Sequence, residues 1–345
     1  MNIGVIRPSL PFQSGGNLYD DHLIDFLQQR KNTITVLTPH TNSSILSKKL
    51  LDPAVDLVLE DELCYAMLPE VNETLRENRI KTYAIVHTLQ GLLEPESSRQ
   101  ADVLEQEKRY LESVDGCLWV SHAVRQATRA LVGNIKAGAV VYPGRSAIPS
   151  SANHDNDSSV FRLLFVGHLL PHKGLDTLLS ALSNLDRGAW RLTVVGAVHA
   201  SPAYTRQIQI FVERHRLLEN VTITGPLPQN QLTEVYCSHD LLVVPSWFEG
   251  YGLVYVEAMG CRLPVIATAN GGPTEYLTHG KDGFLVQPKN PGELQQLITG
   301  ILAQPHLLKS MAVEALQTFQ RLPTWQETFD VAWQYLSQES SGPPS

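Results

Sequence analysis

The sequence predicts an α/β protein of two domains, each a doubly wound parallel sheet. Three observations carry this reading. At 345 residues the chain is long for one hydrophobic core. Short apolar runs alternate with amphipathic ones through six strands, the rhythm stops, and it then runs through six more. Between the halves lies Pro143 to Ser159, polar and rich in turn formers, with the character of a linker.

In the first half, Ile3 to Ile6 is a strand run. Pro11 to Asn17, with Gly15-Gly16, reads as a loop, and a helix follows from about Leu18 to Gln29. Ile34 to Thr38 and Asp56 to Glu60 are the next strands, and Glu62 to Glu77 is helical in pattern. Thr82 to Val86 is the fourth strand, Ser98 to Glu112 a charged helix, and Gly116 to Val120 the fifth strand. Ser121 is placed to cap a helix running to Leu131, and Ala139 to Tyr142 is the sixth strand.

In the second half the strands are Arg162 to Val166, Arg191 to Val195, Val221 to Thr224, Leu241 to Val244, Val265 to Thr268 and Phe284 to Val286. Helices lie near Leu175 to Asn184, Tyr204 to His215, Asn230 to Cys237, Leu253 to Cys261, Gly272 to Thr278 and Gly292 to Ala303. A further helix over 324–338 carries Trp325, Phe329, Trp333 and Leu336 at helical spacing, the pattern of core packing. The implied domains are 1–146, joined by helix 324–338, and 160–323, with a linker at 147–159 and a disordered tail at 339–345.

Composition excludes several function classes. A net charge of −8 argues against a nucleic-acid partner. The four cysteines lack CxxC spacing and sit in apolar surroundings, as reduced core thiols of a cytoplasmic chain do. The start reads as a strand rather than a signal peptide, and no apolar run reaches the roughly 20 residues of a membrane span. Residues 1–150 hold 15 Lys plus Arg against 18 Asp plus Glu. Lys48-Lys49, beside Leu46, Leu50 and Leu51, supports at most peripheral membrane contact. The histidines show no metal spacing. Ser238-His239-Asp240 are adjacent, so they cannot form a spatial triad. Asp155-Asn156-Asp157 lies in the polar linker and reads as solvated loop.

The most informative stretch is Val243 to Glu275, which reads strand, glycine loop, helix, strand, glycine turn. Glycines before a helix let backbone approach a ligand, and the helix start offers free N–H groups suited to a diphosphate. Glu249 precedes that helix and Glu257 lies one turn inside it. Two carboxylates beside a phosphate site repel phosphate, so accepting hydrogen bonds from sugar and ribose hydroxyls is the natural task for them. Ligands of open α/β sheets sit beyond the carboxyl ends of the strands. The candidate segments are therefore Gly15-Gly16, His87, Gly167 to Lys173, Gly225 to Pro228 and Pro245 to Leu253.

In these residues the chain resembles the retaining GT-B glycosyltransferases of family four, the glycosyl transferases group 1. Glu249 and Glu257 match that family's pair of glutamates separated by seven residues, and Val166 to Leu175 resembles its phosphate-binding lysine segment. Gly15-Gly16 resembles its N-terminal glycine loop and Val120-Ser121 its "VS" strand end. The resemblance implies a GT-B fold, two Rossmann-like domains facing each other across a cleft. It implies metal-independent transfer of a hexose, with retention, from a UDP- or GDP-sugar to a hydroxyl acceptor: a saccharide, a lipid-linked saccharide or a small metabolite.

The resemblance also implies roles. Glu249 takes hydroxyls of the donor sugar and Glu257 those of the ribose. Gly250, Tyr251, Gly252 and Leu253 present backbone to the sugar and diphosphate. Lys173 neutralises the leaving phosphate, and Gly15 and Gly16 reach it from the first domain. Pro226 and Leu227 hold the base, and His87 lies near the reacting carbon. His168 stands where the family has an arginine, a shorter and titratable donor that leaves phosphate grip to pH, to His172 or to another residue. A nucleotide-sugar epimerase or isomerase and a non-catalytic sugar-nucleotide-binding subunit are the alternatives. Acceptor identity and oligomeric state are not legible.

Overall fold

A computed structural model describes residues 1–39, 43–51, 55–93, 98–147 and 160–340. Most of the predicted linker, with Asp155-Asn156-Asp157, lies outside the described residues. The chain divides into two units, Met1–Gly144 with Pro323–Ser345, and Arg145–Leu322.

The first unit is one sheet of six parallel strands: β1 (Asn2–Ile6), β2 (Thr33–Leu37), β3 (Leu57–Asp61), β4 (Lys81–Val86), β5 (Gly116–Trp119) and β6 (Ala137–Val140). Their order is β2-β1-β3-β4-β5-β6. Ile3 pairs with Ile34 on one side and Leu57 on the other, so β1 is central. β3 is buried along its whole length, as parallel strands covered on both faces are. Unusually, its last two residues are Glu60 and Asp61.

The second unit repeats the plan with β7 (Phe161–Val166), β8 (Trp190–Val195), β9 (Val221–Gly225), β10 (Leu241–Val244), β11 (Val265–Thr268) and β12 (Phe284–Val286). The order is β12-β11-β10-β7-β8-β9, again parallel throughout. The chain leaves β7 in one direction through β8 and β9, then returns to the other side for β10. The gap between β7 and β10 is therefore the topological switch point, where loops part and leave a crevice. In the first unit the equivalent switch lies between β1 and β3.

The helices differ from expectation in places. The helix expected from Leu18 begins at Gly15 and runs to Gln29. Gly15-Gly16 thus form its first turn, because the Ser14 side chain accepts from the Asn17 N–H at 3.1 Å and caps it. Glu62 to Glu77 is two pieces, a 3-10 turn at Glu62–Cys64 and a helix at Leu68–Glu77 with Pro at its start. Asp61 caps the first piece, accepting from the Leu63 N–H at 2.8 Å. Gly272 to Thr278 shortens to one 3-10 turn, Gly272–Glu275.

Helices at Ser43–Leu51, Gln90–Leu93 and Leu307–Arg321 join those expected. The last of these packs on the helix Leu253–Gly260, and Gly260 leaves the room that the Phe319 ring fills. The final helix spans Trp325–Ser340, so residues 339–340 are helical rather than tail. It packs on Gly15–Gln29 within the first unit. Phe329 and Leu336 are fully buried, and Trp325 stacks on Phe329. Cys64, Cys117 and Cys261 are buried free thiols, while Cys237 is only half-buried. Among the described residues no helix is long and apolar enough to cross a membrane.

Candidate active site

At the switch point of the second unit, the loops after β7 and β10 are locked together. Gly174 takes a left-handed conformation (φ +74°), and any Cβ there would overlap the Pro245 carbonyl. The Trp247 N–H donates to the His172 carbonyl at 2.8 Å. These contacts bring Lys173 Nζ to 2.8 Å from Glu249 Oε2, and Ser246 Oγ donates to the same oxygen at 3.0 Å.

The backbone of Glu249 is pinned as firmly as its side chain. Its N–H donates to the Asn270 carbonyl at 3.1 Å, and its carbonyl accepts from the Gly272 N–H at 2.9 Å. Gly271 (φ +114°) lies flush against that carbonyl, so a side chain at 271 would push the Glu249 strand away. Gly252 (φ +91°) ends the loop and stands at the start of the helix Leu253–Gly260 with no side-chain cap. Gly250, Tyr251 and Gly252 are buried, Leu253 is half-buried, and Tyr276 Oη donates to the Tyr251 carbonyl at 3.0 Å. A rigid backbone loop therefore leads into an uncapped helix start beside a lysine. Physically that arrangement suits an anion.

Glu257 has different company from Glu249. Tyr236 Oη donates to its Oε2 at 2.9 Å and Gln229 Nε2 to its Oε1 at 3.4 Å. Burial raises its pKa, and these two donors pull against that rise. Gln229 opens the helix Gln229–Cys237, directly after Pro226, Leu227 and Pro228. The structure thus ties Glu257 to the loop that follows β9.

The two histidines of the lysine segment are not phosphate cations here. The Ala197 N–H donates to His168 Nδ1 at 3.2 Å, so that nitrogen carries no proton. Burial lowers the pKa of His172 to about 3, helped by Lys173 and then His168. With no anion bound the His172 ring is therefore neutral, and what it offers a phosphate is an N–H donor rather than a charge.

In the first unit, His87 follows β4 and meets Gly16 from the helix Gly15–Gln29. A Cβ at Gly16 would stand 3.2 Å from His87 Cδ2, so glycine is what lets the helix start approach the ring. His87 Nε2 lies 3.3 Å from Asp20 Oδ1 and 4.0 Å from Asp61 Oδ2. Its backbone N–H donates to Glu62 Oε2 at 3.0 Å, and that of Thr88 to Oε1 at 3.2 Å. Asp20, Asp61, Glu62 and Tyr236 escaped the sequence reading, while Ser246 lies inside the candidate segment Pro245 to Leu253 but carried no role there. The run Glu60-Asp61-Glu62 at the end of an apolar strand was a signal for them, since buried carboxylates need a reason.

Residues 149–318 match the family described as glycosyl transferases group 1. The matched stretch takes in almost all of the second unit. Among curated relatives, the chain is 35% identical over 176 residues to the D-inositol 3-phosphate glycosyltransferase of Segniliparus rotundus, covering 50% of this chain and 39% of that protein. It is 31% identical over 164 residues to an uncharacterized glycosyltransferase of Methanocaldococcus jannaschii, covering 48% of this chain and 44% of that one. The matched stretches therefore span less than half the length of these curated relatives.

Solved structures show the fold of both units. Sucrose-phosphate synthase from Thermosynechococcus elongatus matches with TM-score 0.86 at 21% identity, over 99% of this chain and 100% of that one. Anabaena HepE in complex with UDP and glucose matches with TM-score 0.77 at 20% identity, over the same shares of each chain. The fold is GT-B. Lys173, Glu249 and Glu257 all lie inside the stretch that matches the glycosyl transferases group 1 family, and His87 and Gly16 lie outside it.

Proposed function

We propose that the protein moves a hexose from a nucleoside-diphosphate sugar to a hydroxyl acceptor, retaining the anomeric configuration and without help from a metal ion. The observation that carries this reading is the Lys173–Glu249 contact beside the uncapped helix start at Gly252-Leu253, at the switch point of the stretch that matches the glycosyl transferases group 1 family. A diphosphate arriving there exchanges partners with the pair. Its oxygens take Lys173 and the free N–H groups, and a sugar hydroxyl takes the freed Glu249 carboxylate. As the sugar–phosphate bond breaks, negative charge grows on the phosphate where the cation and the helix dipole are aimed. Glu257, held by Tyr236 and Gln229 next to the 226–228 loop, suits the ribose hydroxyls. Pro226 and Leu227 suit the base, and for Gly15, Gly16 and His87, which belong to the first unit, the role is the one the resemblance implies. The UDP complex of a structural neighbour favours a uridine nucleotide over a guanosine one.

The test is a thermal-shift and hydrolysis screen of UDP- and GDP-hexoses on the wild type and Lys173→Ala. Stabilisation by one donor, with slow release of nucleotide, is expected for the wild type and not for the variant. Equal hydrolysis by both proteins removes this site. Binding without release under every acceptor tried assigns the protein to the sugar-nucleotide-binding subunits instead.

A further inference from the structure

The two oxygens of Glu257 are held unequally. Tyr236 is fully buried, and its Oη donates to Oε2 at 2.9 Å. Gln229 is exposed, and its Nε2 reaches Oε1 at 3.4 Å, near the limit of a hydrogen bond. The amide nitrogen is the atom that faces Oε1, because a carboxylate only accepts. Both donors stand on the helix Gln229–Cys237, seven residues and so about two turns apart, and that helix packs on Leu253–Gly260, which carries Glu257.

The two contacts also differ in what breaking them costs. A buried phenol needs an acceptor, and among the described residues the acceptor of Tyr236 Oη is Glu257. Parting them would strand a donor and an acceptor away from water. Gln229 can turn to water and give up its long bond at little cost. It is also the residue after Pro226-Leu227-Pro228, so Oε1 is the carboxylate oxygen on the side of that loop. The same plan recurs at Glu249, where Ser246, also fully buried, donates to Oε2, Lys173 joins it on that oxygen, and both leave Oε1.

We infer that Tyr236 is a positioning residue for the nucleotide ribose: it fixes Glu257 through Oε2 and presents Oε1 to a ribose hydroxyl, with Gln229 as the donor that yields when the nucleotide arrives. This rests on the reading under Proposed function for the presence of a nucleoside diphosphate. Tyr236 touches no ligand in this scheme and acts through Glu257. The device makes the site prefer a ribonucleotide to a deoxyribonucleotide, and Gln229 sets how strongly. When the hydroxyl is missing, Gln229 stays on Oε1, so the acceptor is never left bare. Discrimination is then on the order of tenfold, far below the roughly 10⁴-fold of a site whose buried polar group loses its only partner.

The experiment is calorimetric titration of UDP, 2′-deoxy-UDP and 3′-deoxy-UDP into wild type, Tyr236→Phe and Gln229→Ala. Wild type should bind UDP about tenfold more tightly than at least one deoxy form. In Tyr236→Phe the Kd of UDP should rise toward that of the deoxy form, whose own Kd stays nearly unchanged. Equal weakening of all three ligands is what a merely structural tyrosine would give, and it overturns the inference. So does a wild type that binds all three alike. Gln229→Ala should widen the gap between UDP and the deoxy form, because UDP no longer has a donor to displace from Oε1. A gap that closes in this variant makes Gln229 the group that reads the ribose and overturns the inference, which decides the matter even if Tyr236→Phe does not fold. The GDP series replaces the UDP series if GDP alone binds. Binding without preference for ribose sinks this inference alone, whereas failure of both UDP and GDP to bind sinks it together with the transferase reading.

Discussion

Lys173 and Glu249 hold each other in a half-buried pair, with 23% and 13% of their side chains exposed. The pair is only partly open to solvent, so desolvation offsets much of its attraction and the contact is weak evidence for a stabilising role. Lys173→Ala and Glu249→Ala should each lower turnover at least about tenfold, near 1.4 kcal/mol of lost transition-state binding, while the protein still folds. Full activity in both variants would dissolve the assignment. Glu60 is the opposite case. It is fully buried, its Oε2 accepts from Asn72 Nδ2 at 3.1 Å, and burial raises its pKa to about 8. The folded state therefore keeps the proton that the unfolded chain releases near its ordinary pKa of 4.5. The stability this supplies is complete below that pH and disappears as pH rises through about 8. Melting curves between about pH 5 and 9 should show wild type losing ground to Glu60→Gln as pH rises. Parallel curves would mean that Glu60 is ionised throughout.

At the level of elements, caps and glycines decide how loops meet helices. Ser121 is fully buried and accepts from the Val124 N–H at 3.1 Å at the start of His122–Val132. Ser121→Ala should cost about 1 kcal/mol in urea unfolding with an unchanged denaturant slope. Gly271→Ala should do more harm to activity than to the fold, since its methyl would displace the Glu249 backbone; a variant with wild-type kcat/KM would show the turn yields freely. The Ser121 cap was legible because a serine follows an apolar strand and opens an amphipathic run. β10 was legible because four apolar residues stop at Pro245. The helix start at Gly15 was not, since two glycines are poor helix formers; Ser14 and the fit against His87 override that preference. Leu308, Met311, Ala315 and Phe319 carry a plain helical period, so the helix Leu307–Arg321 was readable although unassigned. The Asp20–Asp61–His87 group was beyond local pattern. Its members are far apart in the chain, and only the order β2-β1-β3-β4 gathers them.

For the molecule as a whole, each unit has its own sheet and core, and one unit interrupts the other. Phe329, fully buried against Tyr19 and Phe26, belongs to the first core although it follows the second unit in sequence. Phe329→Ala should remove about 3–5 kcal/mol from the first unit. Calorimetry should then show the transition of that unit falling while the transition of Arg145–Leu322 stays in place; a common shift of both would mean that they unfold as one. The interruption also governs how the protein is made. On the ribosome, residues 1–144 emerge with the Tyr19 and Phe26 surface still uncovered, and the helix that covers it follows only after Leu322. At about 5–20 residues per second, translation of Arg145–Leu322 takes on the order of 10–35 s. During that interval the nascent first unit shows an apolar face to its surroundings, and the second unit can fold to completion before the first one closes.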